Sequence, residues 1–171
     1  VGEALRKSPV LLATSGGLLI GFLAQVSPMT LFWGEFQIDR VINLGDALPQ
    51  THSKLSAVSL LVGLALVKIL AISVTLRSGF RGGFIFPLMF VGAAIGTAAT
   101  LLLPTAPAAA ITIATMAAIN VGITKTPIST SIILVTLTGL SMLPVVIAAS
   151  VVSLLCTGNV SLIHTQRERT L

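Results

Sequence analysis

Two stretches of this chain, residues 82–124 and 126–166, carry no charged residue. Each is about twice the ~20 apolar residues that one helical crossing of a bilayer needs. Backbone polar groups inside a bilayer must be satisfied internally, so apolar runs of this length predict membrane helices. Composition agrees. Only 9% of the 171 residues are charged and 54% are apolar, against about 25% charged in a soluble domain. A soluble fold of this size could not cover itself with so few polar groups. One cysteine, Cys156, and no low-complexity run exclude disulfide-rich and disordered classes. The net charge of +5 flanks apolar segments, and so predicts membrane topology rather than a nucleic-acid surface.

Residues 8–34 are uncharged and long enough to span. Arg6 and Lys7 ahead of this run imitate a secretory leader, but further hydrophobic segments follow it. Val1 is not an initiator methionine, so the chain reads as a fragment or processed piece: one membrane domain over 1–171, without a soluble regulatory domain. Glu35, Asp39 and Asp46 form the acidic cluster, beside Trp33 and Arg40. Glu35 and Asp39 share a helix face, and an interfacial short helix or loop is expected there rather than an acid–base pair. Residues 55–76 form the next span, closed by Arg77 and Arg81 and interrupted by Lys68. Such a lysine either faces protein, a water-filled cavity or an anion, or snorkels to the interface.

Proline and glycine then divide the charge-free intervals. Pro104 and Pro107 separate 84–103 from 108–123; Pro127, Gly139 and Pro144 separate 127–138 from 142–157. The last two are short for independent spans. Broken helices at membrane depth are tolerated where they are buried in protein or line a cavity, which points to a transporter-like site. Gly17–Gly21 and Gly92–Gly96 are both GxxxG pairs, expected to bring helix backbones close. Arg167-Glu168-Arg169 predicts a cytoplasmic polar end.

Phosphate loops, metal-spaced Cys/His sets and nucleophile elbows are absent from the sequence, so neither enzyme activity nor a cofactor is expected. His52 and His164 read as ordinary polar residues and Cys156 as a small core residue. One segment stands apart: Ser78-Gly79-Phe80-Arg81-Gly82-Gly83-Phe84-Ile85-Phe86-Pro87. Its glycines permit unusual backbone geometry, and Pro87 suits the first turn of a helix. The N–H groups around Phe84, Ile85 and Phe86 then lack intrahelical partners at the positive end of a helix dipole. That pattern fits an anion site, with Arg81 adding positive potential, or a loop that merely starts a helix.

Gly83-Phe84-Ile85-Phe86-Pro87 resembles the GxFxP signature of the CLC chloride channels and chloride/proton antiporters. Glu35-Phe36-Gln37-Ile38 resembles the short helix upstream of it. Lys125-Thr126-Pro127-Ile128 followed by Ile132-Ile133-Leu134-Val135 resembles the basic-x-Pro helix downstream, and Gly158 through Leu171 the last membrane helix. The resemblance implies an all-α integral membrane fold, a bundle of broken and tilted helices forming the C-terminal half of an inverted-repeat domain. It implies chloride as substrate, held by the amides of Phe84 and Ile85, with Gly82, Gly83, Pro87 and Arg81 shaping the site. It further implies a homodimer in a bacterial inner membrane, through helices 127–138 and 142–157, and an N-terminal half of the same protein as partner. Ser129, Thr130 and Ser131 would bond between helices there or back to their own helix. The chain departs from the pattern in three places. Ile85 stands where the family has phenylalanine; no tyrosine occurs, Leu162 lying near its usual place; and Phe84 stands where a fluoride-exporting branch carries glutamate. Channel, antiporter, transporter of another small anion such as fluoride, and non-transporting scaffold all remain open readings.

Overall fold

The computed structural model describes residues 8–31, 34–80 and 82–160. Arg81, the Phe32–Trp33 pair, His164, Leu162 and the closing segment beyond 160 lie outside the described residues, and so does the predicted polar end.

Proline sets where several helices begin. Pro9 opens α1 (Pro9–Val26) and Pro127 opens α6 (Pro127–Thr138), while Pro144 sits in the first turn of α7 (Leu143–Thr157). The missing N–H is no loss at these positions and the fixed φ already suits a helix. Between them run α2 (Ile38–Thr51), α3 (Lys54–Arg77), α4 (Ile85–Leu102) and α5 (Ala108–Thr124). Ser53 caps α3 by accepting the Ser56 N–H at 3.3 Å. Short 3₁₀ turns occupy Pro28–Thr30, Glu35–Gln37 and Leu140–Met142. No strand occurs among the described residues, and the architecture is the expected all-α membrane one.

Among the described residues, four stretches are long and apolar enough to cross a membrane: Pro9–Val26, Lys54–Arg77, Ile85–Leu102 and Leu140–Thr157. The last corrects the expectation of a short segment. The 3₁₀ turn at Leu140–Met142 runs directly into α7, so the two together reach 18 residues. Cys156, expected in the core, lies on the exposed face of α7.

Helix α4 is the centre, buried without a break from Pro87 to Ala94, with α5, α3 and α2 packed around it. The pair Gly92 and Gly96 explains how α5 comes so close. A Cβ on Gly92 would lie 2.5 Å from the Cα of Met116, and one on Gly96 2.7 Å from the Cα of Thr112. Any side chain there would force the two backbones apart. The other GxxxG pair behaves differently, since a Cβ on Gly17 or Gly21 would meet no other part of the described residues within 4 Å. In α1 it is Gly16 that packs, against the Ser78 side chain.

The acidic segment is longer and more regular than a short interfacial piece. Ile38, Val41 and Gly45 are buried at helical spacing, so a 14-residue α2 lies with that face on α4. Asp39, Arg40 and Asp46 stay exposed.

Polar bonds fasten α5 to α7. Ser153 Oγ donates to the Ala118 carbonyl at 2.6 Å. Lys125 ends α5 in the left-handed region at φ 58°, and its ammonium donates to Thr157 Oγ1 at 2.6 Å and to the Thr157 carbonyl. A cation on the last carbonyls of α7 suits the negative end of that helix.

Candidate anion site

The site is built where α3 stops and α4 starts. Ser78 N–H bonds Val74 O, Gly79 N–H bonds Leu76 O, and Phe80 N–H bonds Thr75 O at 3.3 Å. Gly79 sits at φ +81°, the left-handed position such a closure needs. Then Gly82 and Gly83 run exposed to Phe84, which caps α4 and accepts the Leu88 N–H at 3.0 Å. No side chain caps this helix start. The N–H groups of Phe84 and Ile85 donate no hydrogen bond among the described residues. Phe84 and Ile85 are half-buried and Pro87 is buried.

A cavity of about 240 Å³ opens at this point, lined by Gly82, Gly83, Phe84 and Pro87 together with Thr30 and Lys68. Four of the predicted residues therefore share one wall. Ile85 does not contribute to that lining, although its N–H belongs to the same helix start. Arg81, the remaining predicted member, falls outside the described residues.

Sequence reasoning did not place Thr30 in this group, and it left Lys68 between two readings. Lys68 lies mid-helix in α3 and is 1% exposed, so it does not snorkel. Its ammonium donates to the Thr30 carbonyl at 3.0 Å and sits 4.9 Å from the centre of the Phe90 ring. Thr30 ends the 3₁₀ turn of a chain break, where a carbonyl has lost its helical partner. A lysine at the centre of a membrane helix costs about 2.5–3.5 kcal/mol on insertion scales, and a carbonyl and a ring face offset part of it. Gly34 makes room, for at φ +90° it turns the chain where a Cβ would stand 3.3 Å from the Lys68 ammonium and 3.2 Å from the Phe90 ring. The sequence signal was the lone cation in an apolar run; its partners are contributed by distant segments.

A second cavity, about 480 Å³, is lined by Glu35, Asp39 and Asp46 with Thr97, Thr100 and Thr138. It lies apart from the residues of the glycine-rich break. Ser129, Thr130 and Ser131 show no side-chain hydrogen bond among the described residues, while Thr136 and Thr138 bond back to their own helix.

Apolar helices broken by glycine and proline, with backbone donors left at the start of the central one, define a polytopic membrane protein with an internal cavity. The chain belongs to the CLC family, matching the family described as voltage gated chloride channel over residues 2–158. Among curated proteins it is similar to the ion-transport protein YfeO of Salmonella newport (strain SL254) and to its counterpart in Salmonella agona (strain SL483). Each is 35% identical over 96 residues, 53% of this chain and 20% of the relative. The matched region thus spans about a fifth of those relatives' length. No solved structure matches the chain.

Proposed function

We propose that the chain forms part of a transmembrane pathway for small anions such as chloride, with the ion held by the backbone amides of Phe84 and Ile85. Gly82 and Gly83 let the ion approach the backbone, and Pro87 starts the helix without adding a competing donor. Two N–H groups without partners among the described residues, at the start of the buried helix α4, carry this reading. In a dry setting such donors attract an anion through their own dipoles and that of the helix. Hydrogen bonds to a charged partner are roughly twice as strong as neutral ones. Ile85 in place of phenylalanine leaves the donor unchanged, because the donor is backbone.

The resemblance supports a homodimer in a bacterial inner membrane, with a further half of the same protein completing the pathway. The absence of any tyrosine favours a second reading, a scaffold subunit that has lost transport. Reconstitution of the complete protein in liposomes separates them. Transport predicts chloride efflux from chloride-loaded vesicles, competed by bromide; the scaffold predicts none. Proton uptake coupled to efflux identifies exchange, and efflux without it identifies a channel. Residues 1–171 alone are expected to give no selective flux.

A further inference from the structure

Lys68 is among the largest fully buried side chains, and it belongs to the face of α3 that lines the cavity. That face is regular: Lys68, Ala71, Ile72 and Thr75 recur at helical spacing and all border the same space. Among its contacts, the ammonium donates to the Thr30 carbonyl at 3.0 Å and lies 4.9 Å from the centre of the Phe90 ring.

We propose that Lys68 is a specificity-determining residue of the anion path, its ammonium forming the charged wall of the cavity whose backbone wall is Gly82, Gly83 and Phe84. This rests on the anion reading above. Amide dipoles supply partial charges at short range, whereas an ammonium supplies a full, compact charge. A strong local field favours small anions that hold water tightly over large, weakly hydrated ones. Lys68 therefore raises occupancy of the cavity and tilts it toward chloride and bromide against thiocyanate.

The test uses the complete protein and three forms of it: unchanged, Lys68→Met and Lys68→Arg. Calorimetric titration with bromide gives affinity, and liposome flux gives the thiocyanate-to-chloride ratio. Lys68→Met is expected to weaken bromide binding by about tenfold or more, the loss of one charge-assisted contact. Its thiocyanate-to-chloride ratio is expected to rise. Lys68→Arg keeps the charge and is expected to stay within about threefold of the unchanged protein. A Lys68→Met protein with a lowered unfolding midpoint but unchanged affinity and ratio overturns the proposal and leaves the amide site standing. An unchanged protein that binds no bromide overturns both. Should Lys68→Met fail to fold, bromide anomalous diffraction from the unchanged protein decides. Density within about 6 Å of the Lys68 ammonium supports the charged wall, and bromide bound only farther away overturns it.

Discussion

Gly92 of α4 and Met116 of α5 meet backbone to backbone: a Cβ added to Gly92 would stand 2.5 Å from the Met116 Cα and 2.9 Å from its nitrogen. Nothing at that distance can rotate away. The α4–α5 pair is therefore set by the absence of a side chain, and α4 carries the candidate site at its start.

Gly92→Val is expected to separate these helices. Overpacking typically costs about 1–3 kcal/mol, and a backbone obstacle puts this substitution at the upper end. Thermal unfolding of the detergent-solubilised complete protein measures it. A midpoint equal to that of the unchanged protein contradicts the packing described.

Lys125 and Thr157 act as one unit across the α5 and α7 ends. Lys125→Met and Thr157→Val are each expected to destabilise, and the double variant to lose less than the two together. Interhelical polar contacts in membranes couple by about 0.6–2 kcal/mol. Additive losses in a double-mutant cycle would show that the two residues act separately.

Asn120 presents the opposite case. It is fully buried in α5, and neither its amide oxygen nor its nitrogen finds a partner among the described residues. Replacing an unsatisfied buried polar group by an apolar one of similar shape is neutral or stabilising. Asn120→Leu is thus expected to leave the unfolding midpoint unchanged or raised, and a fall equivalent to more than about 2 kcal/mol would contradict this.

Ile85→Phe keeps the backbone donor, and chloride flux through the complete protein is expected to stay within about twofold. Ile85→Pro removes the donor, but it also strains Phe84, whose ψ of 0° is disfavoured ahead of proline. Loss of flux in both variants would place the important contact in the Ile85 side chain instead.

Much of the fold was legible because bilayer helices are written locally. Charge-free runs bounded by proline predicted α4, α5 and α6 to within a residue or two at each end. The glycine-rich break before Phe84 was legible for the same reason, since Gly79, Gly82, Gly83 and Pro87 act through their own backbone. Three features were less so. The acidic residues of α2 suggest a short interfacial piece, whereas Ile38, Val41 and Gly45, at helical spacing, mark the buried face of a regular helix. The working glycine of α1 is Gly16 rather than the GxxxG pair, because packing depends on where Ser78 arrives. Lys68 could not be assigned from its own segment, since Thr30 and Phe90 reach it from elsewhere in the chain.

Two N–H groups form the proposed anion site, and replacing the peptide bond with an ester removes one N–H while leaving the side chain intact. Complete protein carrying an ester at the nitrogen of Phe84 or of Ile85 is to be titrated with bromide by calorimetry. Each ester is expected to weaken binding by about tenfold, the loss of one hydrogen bond to a charged partner. Unchanged affinity in both would contradict the amide site.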